Sequence, residues 1–201
     1  MKKWLVSLLI IFTLFKPLLT LATSRQASLN PLFFTVALLP IDGEFSSLSH
    51  LTAQLAQQHK TEPASPHLTL YYGKIADAKH LIPYVRKMFA NDQPFKLKIK
   101  DIEASDSYFK TVYITFVDIP ELAAKVEALR ALAYSKDYFW EPHLSLLYKD
   151  MPLAQKKSIA KQIIINQKSV IFAKVQVALY QVDAKNSNLL KKQIVDEFWL
   201  N

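Results

Sequence analysis

The chain has 201 residues and carries 25 Lys and Arg against 17 Asp and Glu. It contains no cysteine, which excludes disulfides and attachment to a membrane through a lipidated cysteine. Only two glycines are present, Gly43 and Gly73, so a glycine-rich phosphate-binding loop is also excluded.

The N-terminal segment has the layout of a secretory signal peptide. Two lysines precede an apolar run over Trp4 to Phe15, and a small-residue stretch ends at Ser24. The run is shorter than the roughly 20 residues that cross a bilayer, although a permanent anchor stays open as an alternative. We therefore expect a signal peptide over 1–24 and a single bilobal domain over 25–201. The expected location is periplasmic or secreted, with membrane contact only during export.

Removal of residues 1–24 lowers the net charge from +8 to +5, because three lysines leave with the segment. A mildly basic chain favours anionic ligands such as phosphates, and it serves solubility equally well.

Hydrophobic periodicity predicts strands alternating with helices. In chain order we expect a strand (31–40), a helix (46–60), a strand (67–73), a helix (77–89), two strands (95–104 and 108–117), a helix (119–134), a strand (143–148), a helix (152–165) and two strands (169–182 and 191–200). The second half repeats the alternation of strands and helices of the first half, which indicates two similar lobes.

Four of the five histidines precede a serine or threonine by two positions. On a helix, residues two apart point about 200° from each other, so the histidines at 50 and 59 are not expected to converge with their hydroxyls on one ligand. On a strand, residues two apart share a face. His67 with Thr69, and His143 with Ser145, therefore each present an imidazole beside a hydroxyl.

Two such pairs suit the cleavage of a phosphodiester without a metal ion. A neutral histidine takes a proton from the attacking water, and a protonated histidine gives one to the leaving oxygen. The two hydroxyls hold the non-bridging oxygens. Histidine fits both tasks because its unperturbed pKa, near 6.5, allows both forms near neutral pH.

The phrases "PHLTLYYG" and "PHLSLLY", whose histidines lie 76 positions apart, resemble the two signature strands of the 2H phosphoesterase superfamily. The second is most similar to the plant and yeast cyclic phosphodiesterases. The strand "FFTVALLP", the alternating strand "YFKTVYITF" and the final strand pair also fall where that family has them, so the resemblance covers most of residues 32–199.

The resemblance implies an α+β fold in which two antiparallel sheets form a cleft with helices packed outside. It also implies hydrolysis of a 2′,3′-cyclic nucleotide or of ADP-ribose 1″,2″-cyclic phosphate to a monoester, with no cofactor. His67 and His143 match the catalytic histidines, and Thr69 and Ser145 match the phosphate-binding hydroxyls. Tyr148, which ends the second phrase, is a further candidate for ligand contact.

Other readings remain open. Tyr113, with Phe109, Phe139 and Trp140, is placed to stack on a base, although aromatic residues in strands more often belong to the core.

An RNA-end cyclic phosphodiesterase related to 2′-5′ RNA ligases, or a module that binds cyclic phosphates or RNA ends without turnover, would use the same residues. A metal site built from His67, His143 and His80 lacks a carboxylate at ligand spacing. The expected partners are cyclic phosphates or short RNA ends bound by a monomer, with no stable nucleic-acid partner.

Overall fold

A computed structural model describes residues 32–75, 78–133, 139–182 and 190–201. The expected signal peptide lies outside these residues. The strands are β1 (Leu32–Pro40), β2 (Leu68–Ile75), β3 (Phe95–Ala104), β4 (Val112–Phe116), β5 (His143–Leu147), β6 (Ser169–Val182) and β7 (Leu190–Trp199). The helices are α1 (Asp42–His59), α2 (Leu81–Phe89), α3 (Pro120–Leu132) and α4 (Leu153–Gln162).

The predicted order of elements is confirmed. Helix α1 begins four residues earlier than predicted, α4 ends three residues earlier, and β4 begins four residues later. Tyr108–Lys110, predicted as strand, forms a single 3₁₀ turn. The Ser105 hydroxyl donates to the carbonyl of Lys110 at 2.8 Å, and the Ser105 amide donates to the same oxygen at 3.1 Å. These bonds close a turn, so the strand begins only at Val112.

All described strand pairs are antiparallel, and β6 joins them into one sheet. One edge of β6 pairs with β1, while the other edge pairs first with β3 and then with β7. We call β2, β1, β6 and β7 the first lobe, and β5, β4 and β3 the second lobe. A single residue pair between β2 and β5, Leu68 opposite Leu144, closes the lobes on their other side. The predicted α+β class is confirmed, and the two expected sheets are continuous through β6.

The four helices cover one face of this sheet. Phe34, Val36 and Leu38 of β1, and Leu144 and Leu146 of β5, are completely buried on that face, and buried residues of all four helices belong to the same core. Because side chains alternate along a strand, the residues between them face the opposite side.

The two motif strands, β2 and β5, are each covered by a helix that follows a strand of the other lobe. Helix α1 follows β1 of the first lobe but packs against β5, whereas α3 follows β4 of the second lobe and packs against β2. Each motif strand is therefore supported by a helix that the other lobe supplies. Within the described residues, no helix is long and apolar enough to span a membrane.

Candidate active site

The two predicted motifs, His67 with Thr69 and His143 with Ser145, lie side by side where the lobes meet. The pairing of Leu68 with Leu144 in antiparallel register places His67 beside Ser145 and Thr69 beside His143. The structure thus brings the four predicted side chains together on the face away from the core. His50 and His59, in contrast, lie on α1 and at its end, as predicted.

Both imidazoles make the same hydrogen bond. Nδ1 of His67 lies 2.8 Å from the carbonyl oxygen of Ser65, and Nδ1 of His143 lies 2.7 Å from that of Glu141. A carbonyl oxygen only accepts, so Nδ1 must donate, and in the neutral ring the proton is fixed there. Nε2 of each ring is left to exchange a proton with a ligand.

The environment of the two histidines favours their neutral forms. Burial lowers the pKa of His67, the carbonyl of Ser65 opposes this, and the charge of Lys192 lowers it further. Burial also lowers the pKa of His143, where the carbonyl and the carboxylate of Glu141 oppose the effect and Lys110 and His67 add to it. A bound phosphate would favour the charged form of either ring.

The two hydroxyls are not equivalent. The Ser145 hydroxyl is buried and donates to the carbonyl of Phe109 at 2.8 Å. The Thr69 hydroxyl makes no hydrogen bond within the part of the chain that the structure describes. The Thr69 hydroxyl is therefore free to donate to a ligand, whereas the Ser145 hydroxyl must first break its hydrogen bond to Phe109.

Both predicted tyrosines lie at the site. The Tyr113 ring packs edge-on against His143, with centroids 5.6 Å apart and planes at 77°. Burial, followed by the charges of Glu141 and Glu103, raises the pKa of Tyr113 to about 12, so its phenol stays protonated at neutral pH. Burial also raises the pKa of Tyr148, and the Ser145 hydroxyl partly opposes this shift. Contact of either tyrosine with a substrate remains a prediction.

Two aromatic clusters line the cleft, and sequence reasoning missed the first of them and Tyr108 of the second. In the first lobe the Tyr72 ring stacks on Phe33 at 5.4 Å and meets Tyr180 edge-on at 6.0 Å. In the second lobe Tyr148 stacks on Tyr108 at 6.1 Å. The only sequence signal for the first cluster is strand alternation, which tells which residues share a face. Which of these residues contact each other depends on the register of β1 with β2 and β6.

Two further contacts tie the surrounding loops to the site. The indole nitrogen of Trp140 donates to the carbonyl of Thr69 at 3.1 Å, which joins the segment before β5 directly to β2. The ammonium of Lys110 forms a 2.7 Å ion pair with Glu141 and lies over the Tyr113 ring. Phe109 and Phe139, considered as stacking residues, are 71% and 85% exposed.

The metal alternative is not favoured by the donor geometry. Across the described ranges, no group of three histidine or acidic side chains lies close enough together to hold an ion. His80, the third histidine of that alternative, is exposed and directly precedes α2.

No protein-family model matches the chain. No curated protein matches it either. Solved structures do match. Escherichia coli LigT bound to 3′-AMP is 13% identical with a TM-score of 0.54, and LigT bound to NADP+ is 15% identical with a TM-score of 0.53. A structure described as a phosphoesterase is 16% identical with a TM-score of 0.51. Each match covers 85% of this chain and 98% of the other. The chain therefore shares the fold of LigT and of that phosphoesterase.

Proposed function

We propose that the protein is a 2H phosphoesterase that hydrolyses a cyclic phosphodiester to a phosphomonoester without a metal ion. The substrate class is a 2′,3′-cyclic nucleotide or ADP-ribose cyclic phosphate. The observation that carries this proposal is the crosswise arrangement of His67, Thr69, His143 and Ser145, in which both imidazoles are held through Nδ1 and offer Nε2.

The reaction needs one proton acceptor and one proton donor on opposite sides of the phosphorus. Nε2 of one neutral histidine removes a proton from water as the water oxygen bonds to phosphorus. The bond from phosphorus to one ribose oxygen breaks, and the other histidine, protonated at Nε2, gives its proton to that oxygen. The product is a phosphomonoester, and the two histidines have exchanged protonation states.

The fold likeness supports a nucleoside phosphate as substrate. LigT has been solved with 3′-AMP, phosphate, NADP+ and ATP, so that protein accommodates nucleoside phosphates on a related scaffold. In this chain, the aromatic rings of Tyr72, Tyr148 and Tyr180 in the cleft offer surfaces of the kind on which bases stack.

A substrate panel in EDTA tests the proposal. Chain lacking residues 1–24 is incubated with 2′,3′-cyclic mononucleotides, ADP-ribose cyclic phosphate and RNA ending in a 2′,3′-cyclic phosphate, and the monoester is identified by phosphorus NMR. We expect turnover of a small cyclic phosphate at the same rate with and without chelator. Turnover restricted to RNA ends would support the RNA-end alternative, and saturable binding without product would support a binding module. Loss of activity in EDTA that is restored by zinc or manganese would overturn the metal-independent mechanism.

We also propose that the protein is exported and that its signal peptide is removed. The support is the lysine-flanked apolar run and the small residues that follow it. N-terminal sequencing of the exported form should give a first residue between Thr23 and Ser28. Recovery of a cytoplasmic protein that retains Met1 would contradict this location.

A further inference from the structure

The cleft-facing residues of the first lobe form rows across its four strands. The register places Thr69 of β2, Ala37 of β1, Gln176 of β6 and Glu197 of β7 in one row. Ala37 is the smallest side chain in this row, so nothing bulky separates Thr69 from Gln176.

Lys192 lies two rows away on β7, but its side chain reaches back to the row of Thr69. It is paired with Tyr180 in the sheet, and its ammonium donates to the side-chain oxygen of Gln176 at 3.1 Å. The Gln176 amide in turn donates to Glu197 at 3.0 Å. Lys192 is thus held in place by an amide that is itself oriented by a carboxylate.

The charge of Lys192 acts on His67. This charge lowers the pKa of the His67 imidazole, after the larger effect of burial. Burial lowers the pKa of Lys192 itself, and the charge of Glu197 opposes that shift. A positive charge that is hydrogen-bonded to the row of Thr69 and Gln176 therefore acts on one of the two histidines.

Three lysines near this face differ in what they bind. Lys110 is paired with Glu141 at 2.7 Å, and Lys174 is paired with Glu197 at 3.1 Å and lies over the Trp199 ring. Within the described residues, Lys192 has a neutral amide oxygen as its hydrogen-bond acceptor and no carboxylate at ion-pair distance. Unlike the charges of Lys110 and Lys174, its charge is therefore available to an anion.

The reacting phosphate needs such a charge. One of the two hydroxyls expected to hold it, Ser145, already donates to the carbonyl of Phe109. Charged hydrogen bonds to an anion are also stronger than neutral ones. We propose that Lys192 is a substrate-binding residue that donates to a non-bridging oxygen of the reacting phosphate on the His67 side of the cleft. This inference rests on the proposed function.

Kinetics of Lys192→Gln and Lys192→Arg, with Lys96→Gln as the control, test the role. Lys96 is exposed on β3 and does not belong to the network that holds Lys192. We expect Lys192→Gln to lower kcat/KM for a 2′,3′-cyclic mononucleotide by about 10- to 100-fold, the range for losing a charged hydrogen bond. Lys192→Arg should recover most of the loss, and Lys96→Gln should stay within about threefold of the parent. Equal values for Lys192→Gln and the parent would overturn the inference.

The pH profile separates a binding role from a structural one. The charged or titratable groups that act on His67 are Lys192 and His143, and Glu197 acts on Lys192. Removing the positive charge should raise the pKa of His67, so one limb of the kcat/KM profile should move to higher pH. Two unmoved limbs would contradict the inference.

A binding measurement keeps this inference separate from the proposed function. If the parent turns over no substrate, the proposed function fails, and the affinity for a 3′-mononucleotide still tests Lys192 by calorimetry. We expect Lys192→Gln to weaken that affinity by about tenfold or more at low salt, with a smaller dependence on ionic strength. Unchanged affinity would remove Lys192 from the phosphate site, whether or not the parent is active.

Discussion

The proline before each histidine contributes to the chemistry of the site. Proline has no amide hydrogen, and it forces the residue before it into an extended conformation. In both motifs the carbonyl of that preceding residue accepts the Nδ1 hydrogen of the histidine. The sequence predicts a strand beginning at each histidine; in the structure β5 begins at His143 and β2 begins one residue after His67. Fixing the imidazole tautomer depends on local geometry that residue spacing does not contain.

The lowered pKa values of His67 and His143 predict an acidic optimum. Since kcat/KM reports the free enzyme, its maximum requires one neutral and one protonated imidazole before substrate binds. Both pKa values lie below the ordinary value of 6.5, so both rings are mostly neutral above that pH. We therefore expect a bell-shaped profile with its maximum below pH 6.5 and falling values toward neutrality.

Steady-state rates from pH 4.5 to 9 at constant ionic strength measure this profile. The two limbs belong to the coupled pair and not to named residues. Glu141 is not expected to produce the acid limb, because its hydrogen bond to Lys110 lowers the pKa of the carboxyl. A maximum at pH 7.5 or above would show that burial does not set the protonation of the two rings.

At the scale of elements, the local sequence pattern predicted the strands and helices, but it did not predict which of them pack against each other. The predicted bounds of β3 and β6 agree with the structure, because apolar residues recur at every second position over long stretches of each strand. The pairing of β2 with β5, and the exchange of α1 and α3 between lobes, join segments far apart in sequence. Such contacts follow from packing of the whole core, which periodicity within one element does not report.

The Trp140 indole forms a second link between the motif strands, beside the single Leu68 to Leu144 pair. Trp140→Phe removes the donor and keeps an aromatic ring. We expect the free energy of unfolding to fall by about 1 kcal/mol, the net value of one hydrogen bond. Turnover should fall by about 3- to 10-fold, because the two histidines are held less firmly in register.

The neighbouring residue Phe139 supplies the control for Trp140. Its side chain is 85% exposed, so Phe139→Ala should change the free energy of unfolding by less than about 0.5 kcal/mol. Urea unfolding and initial rates on the same samples measure both effects. If Trp140→Phe matched the parent in stability and rate, the link would have no role in positioning the histidines.

The two glycines of the chain offer a matched test of packing in β2. A methyl group at Gly73 would lie 2.5 Å from Cε1 of Tyr71, a ring that is completely buried. Gly73→Ala should therefore lower the free energy of unfolding by about 1 to 3 kcal/mol through overpacking. At Gly43, in the first turn of α1, no atom lies within 4 Å of such a methyl.

Gly43→Ala should leave stability unchanged or raise it by up to about 1 kcal/mol, because alanine favours a helix. Thermal and urea unfolding of both variants compare the two positions directly. An equal effect at both sites would mean that Tyr71 moves aside, and that the strand does not require glycine.

At the scale of the whole molecule, the proposed active site depends on the meeting of two lobes. Each lobe contributes one imidazole and one hydroxyl, and β6 belongs to both sheets and fixes their relation. The sequence predicted the four side chains because the motif occurs twice on strands. It did not predict Lys192, which follows the second motif by more than 40 positions. The relation of Lys192 to the first motif depends on how β7 pairs with β6, β6 with β1, and β1 with β2.

The rates of His67→Ala, His143→Ala and the double variant on a 2′,3′-cyclic mononucleotide in EDTA test the paired-histidine mechanism most directly. We expect each single variant to lower turnover by about 10² to 10⁴. The double variant should be far less than multiplicatively worse, because both groups act in one step. His50→Ala and His59→Ala, which carry the same triplet on α1 and at its end, should keep the parent rate. A folded control variant as inactive as His67→Ala, or a double variant equal to the product of the two singles, would contradict the mechanism.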